Sequence, residues 1–276
     1  MGSLLFFMNL NGNKYTRESS VLLLLQKNYL PSLFAFYRHL WLFLLMKNVK
    51  LLSLLIPILL SGLHIANEGY YIDSTDWMIK SADDHSHEGL ALITIDDGPN
   101  PNTTPDFLDL LDAYDAKAIF FINGYRAENH EELTAEILER GHKIGNHTWH
   151  HDDLSELGPV ALEREILLLN DWLNLHLNHS PTYFRAPYGV MTHDAEAVVE
   201  RSGMKSMGWS VNSYDWLFDE NDETIKPDAI EIADKTMEGM EHGNIILLHD
   251  RAVTLEALEI ILYTLHEDIE FVVPDE

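Results

Sequence analysis

Seven short apolar runs, separated by helical patterns, constrain this chain more than any other feature. They fall at 90–95, 118–122, 142–146, 182–184, 206–211, 244–248 and 269–273, with helical periodicity over 104–114, 131–140, 160–177 and 228–241. Strands that alternate with helices imply parallel pairing, because consecutive parallel strands must be joined by a crossover. Seven such strands predict an α/β fold closed into a barrel, where functional residues gather at the C-terminal strand ends. A doubly wound open sheet has the same alternation but does not so easily bring six strand ends around one point.

Those ends carry polar residues. The run 90–95 stops at Asp96-Asp97-Gly98-Pro99, and Gly98-Pro99 should break the strand and leave two acids at its end with diverging side chains. Taken alone, such a cluster reads as an ordinary turn. After 143–145 comes His147-Thr148-Trp149-His150-His151. On a helical turn His147 and His151 share a face and can grip one metal ion, with an acid elsewhere as third ligand. His150, three residues from His147, competes for the second position. Further ends carry Arg185-Ala186-Pro187-Tyr188-Gly189, Asn212-Ser213-Tyr214-Asp215-Trp216 and Leu247-Leu248-His249-Asp250.

In this order the five segments resemble the five motifs of the NodB-homology polysaccharide deacetylases, carbohydrate esterase family four: Thr-Phe-Asp-Asp-Gly-Pro, His-Ser/Thr-x-x-His, Arg-x-Pro-Tyr, Asp-x-x-Asp-Trp and Leu-x-His. The resemblance spans about residues 88 to 274. Ile95 stands where the family commonly has Phe, and Asn212 replaces the first Asp of the fourth motif, leaving Asp215-Trp216 intact.

The resemblance implies a distorted (β/α)7 barrel of the polysaccharide deacetylase type and a metal-dependent hydrolase of N-acetyl groups. An acetamide is a poor electrophile and water a poor nucleophile, so such hydrolysis needs a Lewis acid, a base and an acid. By the same resemblance Asp97, His147 and His151 hold the metal; zinc suits this ligand set, and cobalt or another divalent ion fits similar ligands. Asp96 is then the base, with Arg185 orienting it. Tyr188 lends its backbone N–H to the oxyanion. His249 protonates the leaving nitrogen, with Asp215 fixing its tautomer and raising its pKa. Leu247 and Trp216 wall the pocket for the acetyl methyl. Within the enzyme class, O-deacetylation of xylan uses the same chemistry. A carbohydrate-binding homologue without turnover is the reading from another class, against which the intact acid, base and ligand positions stand.

Cysteine is absent, so neither disulfides nor thiolate chemistry enter. Residues 1–66 hold six of the 18 Lys and Arg and one of the 45 Asp and Glu, which leaves 12 against 44 and a balance of −32 beyond them. So acidic a body excludes nucleic acid as partner and is compatible with neutral sugars; the expected substrate is an acetylated glycan, a chitin-type oligomer or peptidoglycan, handled by a monomer. Residues 46–66 have the layout of a secretory signal peptide: Lys47 and Lys50, an apolar core at 51–60, and small residues before Asn67. On this reading 1–45 is a spurious N-terminal extension, 67–87 a linker and 88–276 the catalytic domain, exported to the periplasm or the extracellular space. The alternative is an uncleaved membrane anchor, although Arg38, His39, Lys47 and Lys50 interrupt any span of the ~20 residues required.

Overall fold

A computed structural model of the chain describes residues 69–217 and 227–275, together with a short antiparallel ladder between Phe7–Met8 and Lys14–Tyr15. The chain divides into two compact units, Met1–Ile65 and Ala66–Glu276, and that ladder is what is described of the first. The signal peptide or anchor expected at 46–66, and the rest of the extension expected at 1–45, lie outside the described residues. No described helix is long and apolar enough to cross a membrane.

In the second unit β1 (Tyr70–Asp73) and β2 (Met78–Ser81) form a hairpin. Eight further strands follow: β3 (Leu90–Gly98), β4 (Ala118–Ile122), β5 (Lys143–Asn146), β6 (Tyr183–Phe184), β7 (Lys205–Ser206), β8 (Val211–Asn212), β9 (Ile245–His249) and β10 (Glu270–Phe271). The helices are α1 (Thr104–Ala113), α2 (Gly124–Asn129), α3 (Glu131–Glu139), α4 (Pro159–Leu177), α5 (His193–Arg201), α6 (Ala229–Glu238) and α7 (Ala252–Leu265). Their ends follow local chemistry: Pro159 opens α4, and the side chains of Thr192 and Asp228 accept from the first turns of α5 and α6.

The main sheet is parallel throughout, in the order β8-β9-β3-β4-β5-β6-β7, with β10 beside the start of β3. Its two edge strands, β7 and β8, are neighbours in the chain. The residues from Ser206 to Val211 can bridge ~18 Å at most, whereas seven flat strands would hold their edges ~29 Å apart at ~4.8 Å spacing. The sheet therefore curls into the expected distorted (β/α)7 barrel. The run 206–211, however, is not one strand. It crosses between the edges, with the Met207 N–H donating to Phe184 on one side and the Ser210 N–H to Ile245 on the other. The carbonyls of Met207 and Gly208 accept from the Arg185 side chain instead of a neighbouring strand.

Strand alternation sorts the core into two layers. Ala91, Ile93 and Ile95 of β3 face the helices, packing in the cluster that holds Phe107, Leu111, Leu258 and Ile261. Leu90 and Leu92 face inward with Ile119, Phe121, Tyr183 and Ile245. Continuing that inner face upward leads to Thr94 and Asp96, so apolar filling at the bottom gives way to polar groups at the top. The segment expected as a linker, 67–87, is in part structured. Its hairpin sends Ile79, fully buried, into the inner cluster, and the Ile79 N–H donates to the Gly243 carbonyl at 2.7 Å.

Close approach fixes one glycine in this core. A Cβ on Gly145 of β5 would stand 2.4 Å from the Phe121 ring. Gly145→Ala therefore has to displace a buried aromatic, and overpacking of that kind costs ~1–3 kcal/mol. A lowered urea midpoint at unchanged slope is the expected result, and a midpoint equal to that of the unchanged protein contradicts it.

Candidate active site

The upper end of β3 departs from a regular strand. Its pairing with β4 shifts register between Asp96 and Gly98, and Asp97 has a φ of 68°. On a regular strand the two acids would diverge, as the sequence predicts. The bulge turns them together: Asp96 Oδ2 lies 3.8 Å and Asp97 Oδ1 3.6 Å from Nε2 of His147.

His147 and His151 share no helical turn either. The segment 147–151 is a loop, with left-handed backbone at Thr148 (φ 65°) and His151 (φ 67°). Side chains from β5 and from the residue after β4 shape it. Asn146 Oδ1 accepts from the Thr148 N–H at 2.8 Å, and Asn123 Nδ2 donates to the His147 carbonyl at 2.8 Å. The loop still brings His151 Nε2 to 3.3 Å from Asp97 Oδ1, while His150 turns away to Glu165.

Asp97, His147 and His151 thus point one donor atom each at a common space. Asp97 Oδ1 is buried there without a hydrogen-bond partner, a costly situation unless a cation fills it. His147 Nδ1 contacts the Arg185 carbonyl at 2.8 Å, which assigns its proton to Nδ1 and frees the Nε2 lone pair. Burial pushes the Asp97 carboxyl up, but the charges of His147, His151, His249 and Arg251 outweigh it and hold the group below the usual range. Burial and the neighbouring His147 lower His151. Both shifts favour the deprotonated forms that bind metals, and the donor set fits a divalent ion.

Beneath this cluster lies Arg185, 1% exposed. Its Nη1 donates to Asp96 Oδ1 at 2.8 Å and Thr94 Oγ1 at 2.7 Å, and its Nη2 to the Gly208 carbonyl at 2.9 Å. The guanidinium stacks 4.2 Å over the Phe121 ring. Burial lowers its pKa against the pull of Asp96, yet an arginine keeps its charge.

His249 ends β9 and pairs in register with Asp96 on β3, so the two stand at one level on adjacent strands. Its Nδ1 lies 2.7 Å from Asp215 Oδ1, and its backbone N–H donates to Asp215 Oδ2 at 2.7 Å. Burial lowers the imidazole's pKa, but the bond to Asp215 and the charges of Asp215, Asp96 and Asp97 outweigh it and raise the net value. Tyr188, at φ 58° in the turn Pro187–Gly189, sets its exposed ring edge-on to His151 at 4.7 Å. Leu247 is buried on the inner face of β9, whereas Trp216 is half-exposed in the turn Asp215–Leu217.

Four contributors receive no role from the motifs. Thr94 links Arg185 to the Ile246 carbonyl, and Asn146 shapes the histidine loop. Thr254 of α7 donates to Asp215 Oδ2 at 2.8 Å. Asp250 accepts from Thr103 Oγ1 at 2.5 Å, from Thr104 Oγ1 and from the Asn100 N–H, tying the loop after Gly98 to β9. Thr94 opens the first motif, two residues before Asp96 on the same face of the strand, and Asp250 follows His249, whereas Thr254 carries no such signal.

Residues 83–207 match the polysaccharide deacetylase family. The chain is 35% identical over 159 residues to a chitooligosaccharide deacetylase of a Bradyrhizobium species, covering 57% of this chain and 69% of the relative. It is 34% identical over 185 residues to a peptidoglycan-N-acetylglucosamine deacetylase of Bacillus cereus, covering 64% and 82% respectively. The solved peptidoglycan deacetylase PdaC of Bacillus subtilis superposes with a TM-score of 0.61 at 29% identity, over 67% of this chain and 87% of that one. The chain belongs to the polysaccharide deacetylase family.

Proposed function

We propose that this chain is an exported, metal-dependent de-N-acetylase of glycans containing N-acetylglucosamine, acting on chitin-type oligomers or peptidoglycan. The observation that carries the metal reading is the buried, unpartnered Asp97 Oδ1 between two imidazole nitrogens. The layout of 46–66 supports export, and the activities named for the two relatives support the substrate class.

Asp97, His147 and His151 would hold the ion; zinc suits this ligand set, and cobalt or another divalent ion fits similar ligands. When bound, a divalent ion supplies Lewis acidity toward the acetyl carbonyl and makes water easier to deprotonate. Asp96 takes the proton of the attacking water through Oδ2, since Oδ1 is occupied by Arg185. Arg185 fixes that carboxylate in orientation through its hydrogen bond to Oδ1. The Tyr188 backbone N–H faces the oxygen on which negative charge develops. His249, its Nδ1–H held by Asp215, presents Nε2 to the departing nitrogen and hands it a proton. Leu247 and Trp216 flank the acetyl methyl.

Asp96→Asn keeps the shape and the Arg185 contact but cannot accept the proton. It is expected to bind the same amount of zinc while acetate release falls ~10²–10⁴-fold. Near-normal turnover by this variant would remove Asp96 from the base role.

The acid reading fixes a sign in the pH profile. His249 works protonated, so kcat/KM falls as pH rises through its pKa, which lies above the ordinary 6.5. Asp215→Asn removes the principal raising influence and leaves burial, which lowers the value, so the alkaline limb is expected to move to lower pH. An unmoved limb would assign it to another group.

Chelator is expected to abolish acetate release, and zinc or cobalt to restore it. With metal restored, chitooligosaccharides are expected to outrun peptidoglycan at low salt, because a body of net charge −32 repels polyanionic wall surfaces. Faster release from acetylated xylan than from either would make the reaction an ester hydrolysis, and no hydrolysis of any of them would leave a binding protein.

A further inference from the structure

Helix α4 buries a stripe formed by Leu162, Glu165, Ile166 and Leu169, and one member of it is a carboxylate. Glu165 is 6% exposed, and no lysine or arginine pairs with it among its described contacts. A buried carboxylate is tolerated only where donors fill its lone pairs. Here the donors come from the histidine loop. Glu165 Oε2 accepts from the His150 backbone N–H at 2.8 Å, and Oε1 meets His150 Nδ1 at 2.6 Å. The Glu165 backbone carbonyl also accepts from the Trp149 N–H at 2.9 Å.

These contacts seize residues 149 and 150, midway between His147 and His151. On either side the chain holds Thr148 and His151 in left-handed conformations that L-residues disfavour, so the loop needs an external hold. Asn146 Nδ2 donates to the carbonyl of the next residue, Ile166, at 2.8 Å and, further along the helix, to Asn170 Oδ1 at 2.7 Å, anchoring the loop's entry to the same helix.

We propose that Glu165 is a positioning residue: it clamps the loop 147–151 onto α4 and thereby holds His147 and His151 in their metal-binding geometry. This rests on the reading of Asp97, His147 and His151 as metal ligands. His150, Asp152 and Glu165 also bring donor atoms within 4.8 Å of one another, a grouping that could be taken for a second ion site. Both Glu165 oxygens already face N–H groups, however, and His150 and Asp152 lie at the surface, so the group is a clamp rather than a cage.

The test is zinc titration of the chelator-stripped full-length chain by calorimetry, with circular dichroism as the check on folding. Glu165→Gln has one carbonyl oxygen and turns an NH₂ group toward an N–H donor. It is expected to bind one ion per chain like the unchanged protein, but about 10- to 100-fold more weakly, as loss of a partner that orients metal ligands typically does. Glu165→Asp, which withdraws both oxygens by one methylene, is expected to weaken binding likewise and serves if the Gln variant does not fold. His150→Ala keeps both backbone bonds to Glu165 and is expected to lose less affinity than either. Affinity of the folded Glu165 variants within about twofold of the unchanged protein would overturn the clamp alone. Two ions in the unchanged chain and one in Glu165→Gln would make the group an ion site and overturn it too. No zinc bound by the unchanged chain would bring down the metal reading first, and the clamp with it.

Discussion

Arg185 is a cation sealed from water, and the upper barrel is organised around keeping it satisfied. Its guanidinium reaches Asp96 and Thr94 on one wall and the carbonyls of Met207 and Gly208 on the segment that crosses between the sheet edges. One side chain therefore does what a ladder of backbone bonds does elsewhere in the sheet. The pair is also exacting: a buried charge deprived of its partner costs ~3–5 kcal/mol. The segment between the sheet edges and the orientation of Asp96 are thus tied to the same side chain.

Strain gathers in the rim above that contact. Of the nine non-glycine residues with left-handed backbone among those described, Asp97, Thr148, His151, Tyr188 and Tyr214 belong to the site. Each such conformation costs on the order of 1 kcal/mol, and it persists only where surrounding structure dictates it. The dictating groups are polar and mostly buried: Asn146 for Thr148, Asn212 for Tyr214, and Asp250 for the turn that follows Asp97. Asn212, the departure from the family pattern, keeps a local duty here, its side chain accepting from the Tyr214 N–H.

The sequence was legible where chemistry repeats along the chain. Apolar runs with helical spacers marked the parallel barrel, and the polar residues at their ends marked which side chains meet. It was least legible where one residue departs from period. A bulge at Asp97 leaves the composition of β3 unchanged while reversing a side chain, so two acids that should part converge. A spacing of four suits two histidines on one helical turn, yet two left-handed residues in a loop bring them together as well. The run 206–211 is apolar enough for one strand, and only the demand of Arg185 for carbonyls explains its division. The segment 67–87 reads as a linker because it lies outside the strand–helix alternation, yet its hairpin packs Tyr70, Ile72, Trp77 and Ile79 against the inner cluster. Glu165 resembles any other helical glutamate until the burial of its face is known.

The register between β3 and β9 carries one more consequence. Asp96 and His249 are ladder partners, so the distance between their backbones is the spacing of adjacent strands, ~4.8 Å. An attacking oxygen and a departing nitrogen on one carbon each need a proton-handling group ~3 Å away, and two groups one strand apart can serve both. The sheet itself thus acts as the ruler for the proposed proton traffic. Loops that differ in length or sequence can reshape the glycan cleft around this pair without altering the gauge between its members.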